Sequence, residues 1–423
     1  MNRSTRRSFL RSSSAAVATA FAAPMILPRR VFGANERIAI GAIGVRNQGA
    51  GNVKRFLAAG ADIVAICDVD SKVAAAGTAI VSENGPTPKI FGDYRQLLED
   101  KRIDAVVITT PDHWHALMTI DACKAGKDVY CEKPLSLTIA EGRRMVAAAR
   151  EHHRIVQTGS QQRSSPEFWK ACMLVRNGFI GEVTEVLVGI PGPNHPGSIG
   201  PEEVVPPELD YQMWLGPAPF KSYHGKRVHY NFRFWWDYSG GQMTNFGAHH
   251  LDIAQWGLGM DHSGPVAVDG TAEFHPQMLH EVTEKCRLTY TYANGVRMTL
   301  GQGQVDIAEG TTFIGTKGRV TVGRGTLTTE PVRLTTSPLD AVELIQLYRS
   351  VDHTQDFLDC MRSRALPICD VEIGHRSATV CHLGNLVARL GRPVTWDPNT
   401  ETCPGDAEAQ FMIDRTYRAP WTH

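Results

Sequence analysis

The chain has no excess of charge of either sign: Lys and Arg total 44, and so do Asp and Glu. That balance leaves no electrostatic footprint for nucleic acid or an anionic membrane, so neither is expected as a partner. No C-x-x-C pair occurs among the nine cysteines. A zinc site and a disulfide framework are therefore both unsupported, and no metal is expected. The internal apolar runs are too short to cross a bilayer. There is no internal repeat, and no low-complexity stretch beyond the N-terminus. What is present is 42% hydrophobic and 21% charged, the composition of a globular protein. At 423 residues it exceeds one ordinary core, so two domains are the starting expectation.

The N-terminus reads differently. Thr5-Arg6-Arg7-Ser8-Phe9-Leu10-Arg11 is followed by SSSAAVATAFAAPMIL, a basic segment and then a mildly apolar one. Adjacent arginines before Phe and Leu match the twin-arginine export pattern. Residues 1–34 are thus expected to be a signal and linker, with cleavage near Ala22–Ala23 or Gly33–Ala34. The export machinery becomes an expected partner. The location is then periplasmic, with a membrane tether if the signal is retained. A chain that folds before export keeps Cys67, Cys123 and Cys131 as small buried hydrophobes.

From residue 35 to 158 strands and helices alternate. RIAIGAI (37–43), ADIVAIC (61–67), DAVVIT (104–109), KDVYC (127–131) and RIVQTG (154–159) read as strands separated by helical periodicity. This predicts a doubly wound parallel sheet, a Rossmann domain. Residues 159–423 change texture. A helix and a strand lead into a Pro/Gly/aromatic-rich stretch, 191–240, too long for a plain connection. Short alternating runs over 265–335 then predict a large, mostly antiparallel sheet with one exposed face. Helices near 352–363 and 371–390 are expected to close this α/β domain. The exposed face makes a homo-oligomer, a dimer or tetramer, the expectation.

The first strand runs into GAIGVRNQG, with Gly44 and Gly49 where a pyrophosphate-binding turn needs them. Arg46 stands where the middle glycine belongs. Its guanidinium could be offered to a phosphate oxygen. Asp68 ends the next strand, placed to accept from a ribose 2′-hydroxyl and to repel a 2′-phosphate, which favours NAD over NADP. TTPDHWHA (109–116) and CEKPLS (131–136) lie at two later strand ends, bringing Thr110, Pro111, His115, Glu132 and Lys133 to the same edge. The HWH triplet is read as structural rather than as a metal pair. Trp235 and Trp236, beside Gly240-Gly241, either stack on a sugar ring or fill the core.

These stretches resemble the Gfo/Idh/MocA oxidoreductases. TPDHWHA and GKDVYCEKPLS are similar to the family's most characteristic motifs, and QTGSQQRS with GFIGEV to its crossover into the second domain. SGGQMTNFGAHHLDIAQWGLG resembles its D-x-G-x-H motif. The resemblance implies a Rossmann domain, a second domain carrying the substrate, and nicotinamide between them. It implies a catalytic lysine at Lys133 followed by a cis proline, and a proton-handling histidine at His249. The motif's Asp is replaced by Asn245, which cannot take a proton and would orient substrate. His250 and Asp252 are reserve candidates. Arg163 is expected to hold substrate hydroxyls.

The expected activity is therefore hydride transfer between tightly bound NAD and a sugar or polyol carbinol, with His249 as base. A redox-neutral NAD-dependent glycoside hydrolase or lyase is the alternative within the same family. A non-catalytic cofactor- or sugar-binding protein is a third reading, suggested by Asn245 and Arg46.

Overall fold

The computed structural model describes residues 37–83, 85–193 and 197–422. The twin-arginine segment lies outside them. Residues Ile38–His423 form one compact unit, built on two sheets.

The first sheet has six strands in the order β3-β2-β1-β4-β5-β6, all parallel. They are β1 (Ala39–Ile43), β2 (Asp62–Cys67), β3 (Lys89–Phe91), β4 (Ala105–Ile108), β5 (Asp128–Cys131) and β6 (Val156–Thr158). β4 and β5 are buried along their whole length, as a sheet covered on both faces requires. Helices α1 (Gln48–Ala58), α2 (Ser71–Ser82), α3 (Tyr94–Leu98), α4 (Asp112–Lys124) and α5 (Ile139–Glu151) make the crossovers. Strand order reverses between β1 and β4, so ligands are expected beyond the carboxyl ends of those strands. β3 is not evident in the sequence. It has three residues, two of them exposed, too few to show a period.

The second sheet has eight strands in the order β13-β12-β11-β7-β10-β9-β8-β14. They are β7 (Val183–Ile190), β8 (Ala267–Phe274), β9 (Thr283–Thr291), β10 (Arg297–Gln302), β11 (Gly310–Gly315), β12 (Gly318–Gly323), β13 (Thr326–Glu330) and β14 (Val394–Thr395). Among the described residues β7 and β10 are its one parallel pair of strands. The α/β class and the mostly antiparallel second sheet are as expected. Two short helices, α7 (Tyr211–Leu215) and α8 (Gly241–Asn245), follow α6 (Pro166–Arg176), and α6, α9 (Gly247–Leu258) and α11 (Val371–Leu390) supply Phe168, Leu251, Val380 and Leu383 to the core beneath the sheet.

One late helix departs from expectation. α10 (His353–Ser363) carries Phe357, Leu358 and Cys360 into the core of the first sheet, against Phe56 and Tyr130. Its amphipathic period is plain in the sequence, but period does not say which core a helix joins. All nine cysteines are free and buried. Among the described residues no helix is long and apolar enough to cross a membrane.

Candidate active site

A cleft of about 780 Å³ opens at the strand ends. Its floor is the turn after β1. Gly44 sits at φ +76, and a Cβ there would meet the Thr109 carbonyl oxygen at 2.7 Å. Only glycine fits both constraints. Arg46 is tolerated because the left-handed backbone falls one residue later, at Asn47 (φ 45). Asn47 does not cap α1 with its side chain, and the first turn carries no acid. The helix N-terminus is thus left for an anion. Gly49 contributes packing: a Cβ there would lie 2.1 Å from the Gly44 carbonyl oxygen.

Asp68 lines the cleft at the end of β2. One carboxylate oxygen accepts from Val45 N–H at 2.9 Å and the other from Asp70 N–H at 3.0 Å. Burial pushes its pKa up. Arg46, 48% exposed, lies 3.8 Å from Asp70. Asp70 in turn caps α2 through Lys72 and Val73 N–H. Glu132 lies under the middle of the cleft, accepting from Gln48 and Asn52 at 3.0 Å and Gln161 at 3.1 Å.

The 191–240 stretch contributes a roof. Ser71 N–H donates to Glu208 O, and Asp210 N–H to Val69 O, both at 2.9 Å. Leu209, Met213, Trp214, His229 and Phe232 then face the cleft. The HWH triplet anchors this roof. His113 Nε2 and Trp114 Nε1 both approach the Trp214 carbonyl at 3.0 Å, and burial lowers the His113 pKa to about 3. His115 has a different task. Its two ring nitrogens lie 2.7 Å from Pro134 O and 2.9 Å from Thr110 O. Two acceptors ask for a doubly protonated ring. Burial opposes that charge, but Cys131 and Asp112 outweigh it and raise the pKa. His115 so ties the Thr110-Pro111 turn to the Lys133-Pro134 turn, whose peptide bond is cis.

At the inner end Lys133 Nζ donates to Asn245 Oδ1 at 3.0 Å and to Asn245 O at 3.1 Å. Burial lowers its pKa to about 8, with Glu132 opposing and Arg233 and Arg324 reinforcing. His249, 8% exposed, also lines the cleft. Burial, then Lys133, Arg324 and His250, push its pKa well down. It is a neutral imidazole able to accept a proton, and its buried Nδ1 has no partner.

Four residues expected to touch substrate do not line this cleft. Arg163, 1% exposed, pairs with Asp252 at 2.8–3.0 Å and with Asp261 at 2.8 Å. It lies over the Trp256 ring, a strut between the 161–164 turn and α9. That pairing also removes Asp252 from the reserve candidates. Trp235 packs in a satellite core with its indole N–H on Lys226 O. Trp236 lies under Arg389 beside a separate cavity of about 230 Å³. His250 is buried behind His249, with burial and Arg324 lowering its pKa to about 4. Aromatic and cationic side chains near a glycine pair suit a core as well as a sugar, and spacing alone does not separate the two. Conversely, sequence reasoning missed Gln48, Asn52, Asp112, Arg233 and Arg324. Asn52, Arg233 and Arg324 lie on a helix face, in the long loop and at a hairpin tip, outside any motif, while Gln48 and Asp112 stand inside GAIGVRNQG and TTPDHWHA, whose other residues drew the reading. Among the described residues no group of His, Cys, Asp or Glu could hold a metal ion.

Two family models match the chain: an NAD-binding Rossmann fold over residues 38–160 and a C-terminal alpha/beta domain over residues 198–423. The chain belongs to the Gfo/Idh/MocA oxidoreductase family. It is similar to the inositol 2-dehydrogenase of Salmonella typhimurium, 28% identical over 193 residues, 43% of this chain and 55% of that protein. It is also similar to a glycosyl hydrolase family 109 protein of Shewanella sp. strain MR-4, 34% identical over 154 residues, 35% and 34% of the two chains. The matched stretches span about half or less of these relatives' lengths. The fold is shared with a Caulobacter crescentus aldose-aldose oxidoreductase complexed with glycerol. That match has TM-score 0.62 at 18% identity and covers 85% of this chain and 99% of the other. The glycine-lined turn, the uncapped helix N-terminus and the Asp68 carboxylate fit a dinucleotide of the NAD type.

Proposed function

We propose that this chain is an NAD-dependent oxidoreductase acting on a CH–OH group of a sugar or polyol. The observation that carries the reading is the inner end of the cleft. A lowered-pKa lysine is fixed on Asn245, and a neutral histidine stands on the same wall, above a floor that fits a dinucleotide. Gly44, the α1 N-terminus and Asp68 would hold the cofactor, and Glu132 would brace its inner half. Bound there, NAD supplies the hydride acceptor. His249 takes the hydroxyl proton as the carbinol is oxidised. Lys133, protonated below about pH 8, stabilises the developing alkoxide. Asn245 holds Lys133 in place and offers no charge of its own.

Export by the twin-arginine pathway is part of the same proposal, supported by Arg6-Arg7-Ser8-Phe9-Leu10. An exported enzyme needs to carry its cofactor with it, and the 208–210 bridge over the Asp68 end of the cleft suits retention. A homo-oligomer is supported by the sheet face turned from the helices. There Thr321, Thr312, Leu187, Thr299 and Thr289 lie side by side in register. The second reading, redox-neutral glycoside cleavage, is favoured by the similarity to the family 109 protein. The test is mass spectrometry of the ligand released from native protein, followed by fluorescence of the bound cofactor against sugars and glycosides. Protein that neither retains nor binds a nicotinamide dinucleotide would overturn the proposal. Release of an aglycone without net reduction would select the second reading.

A further inference from the structure

Several arginines in this chain pair with carboxylates. Arg143, Arg364, Arg392 and Arg415 all make ion pairs of 2.5–2.8 Å. Others do not, among them Arg55 of the same cleft, which donates to Asn52, and the inner end gathers three such cations. Lys133, Arg233 and Arg324 all line it, and among the described residues no carboxylate lies within ion-pair distance of any of them.

Their partners are neutral. Lys133 donates to two oxygens of Asn245. Arg324 Nε donates to Gln162 Oε1 at 3.1 Å, and its guanidinium lies 5.7 Å from the Phe246 ring. Arg233 donates to Tyr230 O at 3.0 Å and lies 4.6 Å from the Tyr230 and Phe232 rings. Aromatic beds and amide oxygens orient a guanidinium without neutralising it. The carboxylates that line the cleft are engaged elsewhere. Asp68 holds Val45 and Asp70 N–H, Asp70 caps α2, and Glu132 takes three amides. Asp112, 5% exposed, accepts from Ser239 Oγ at 2.6 Å. Glu167 accepts the Gly325 N–H at 3.0 Å, which fixes the hairpin tip that carries Arg324.

Position decides what the excess positive charge is for. Arg324 sits between β12 and β13, on the second domain, and meets Phe246 and Gln162 rather than the glycine turn. Phe246 lies between Asn245 and His249 in the chain. An anion at Arg324 therefore belongs to whatever occupies the His249 side of the cleft.

We infer that the substrate is a carbohydrate bearing an anionic group, a carboxylate or phosphate, which Arg324 receives while its reacting carbinol faces His249 and Lys133. The inference rests on the oxidoreductase reading for the role of that carbinol, and on the arginines alone for the charge. A guanidinium fork accepts either oxyanion in bidentate fashion.

The experiment is calorimetric titration of the cofactor-loaded protein with D-glucose, D-glucuronate and D-glucose 6-phosphate, repeated with Arg324→Gln and Arg324→Lys. Arg324 is exposed at a hairpin tip, so both variants are expected to fold. At least one acid should bind tenfold or more tighter than glucose, and the better of the two tells carboxylate from phosphate. Arg324→Gln should bring the preference to within threefold, and Arg324→Lys should keep part of it. Acids binding no tighter than glucose, or a preference unaltered in Arg324→Gln, overturns the inference. Cofactor fluorescence on the same samples separates the two readings. Reduction by neutral sugars alone leaves the oxidoreductase and removes the acid. Tight acid binding with no redox change does the reverse.

Discussion

The two ends of the cleft are built on opposite rules. From the glycine turn to the middle of the cleft polar groups are closed upon one another: Asp68 on two backbone amides, Asp70 on a helix N-terminus, and Glu132 on three side-chain amides. At the inner end they are left open. His249 has a buried Nδ1 with no partner, and three cations face only neutral groups. A closed end is pre-organised and holds its ligand in one way. An open end carries desolvation costs that a substrate relieves. In the proposed function, affinity for the cofactor thus belongs to one end, and specificity and chemistry to the other.

Removing Lys133 should break this contrast most. Lys133→Met takes away the charge next to the developing alkoxide, and kcat should fall on the order of 10²–10³-fold. The same substitution should make the protein more stable. The folded pKa of about 8 lies below the ordinary lysine value of 10.5, so folding gives up a proton between those values. The penalty is complete below pH 8 and vanishes above about pH 10.5. Below pH 8 the variant should gain about 1–2 kcal/mol, allowing for the water the cleft admits. Thermal melts at pH 7 and pH 10 check the sign: the gain should shrink at the higher pH. A variant less stable at pH 7 would show that Lys133 is not a strained charge.

The next largest effect belongs to the closed end. Gly44→Ala must place a Cβ 2.7 Å from the Thr109 carbonyl oxygen on a backbone at φ +76. A cost of roughly 1–3 kcal/mol is expected, together with loss of cofactor read by absorbance of the purified protein. Retained cofactor would mean the turn does not form the floor.

Much of the closed end is legible in the amino-acid sequence, and less of the open end is. Gly44, Asp68 and the strand-end prolines are tied to the period of alternating strands and helices, which sequence displays directly. Lys133, Asn245 and His249 are legible through motif. Arg324 and Arg233 reach the site from a hairpin tip and a long loop, so their placement depends on tertiary contacts that no local pattern encodes. Arg163 misleads for the mirror reason. An arginine beside a motif suggests a ligand, while its partners Asp252 and Asp261 stand far along the chain.

The pH profile sharpens the contrast further. His249 stays neutral across the working range because its pKa is pushed well down, so no acid limb from it is expected near pH 6.5. The alkaline limb should follow Lys133 near pH 8. Asn245→Asp would set a carboxylate where the Lys133 ammonium now meets an amide oxygen at 3.0 Å. The limb should move up by about one pH unit or more, as expected for an added opposite charge. kcat–pH curves of the two proteins decide this, and coincident limbs would remove Lys133 from the alkaline ionisation.

The smallest effect is expected at the residue that breaks the glycine motif. Arg46 is half exposed, its nearest charge is Asp70 at 3.8 Å, and the strained backbone belongs to Asn47 instead. An exposed pair of this length is worth about 0.2–1 kcal/mol. Arg46→Gly should therefore change the cofactor release rate by no more than about fivefold, and melting temperature hardly at all. In the proposed site the ligand is held by backbone N–H groups that this substitution leaves in place. Release twentyfold faster or more, measured by dilution of loaded protein and fluorescence, would mean that the guanidinium swings from Asp70 onto the bound phosphates. Retention would then rest on a side chain rather than on the turn, and the closed end would be less closed than its hydrogen bonds imply.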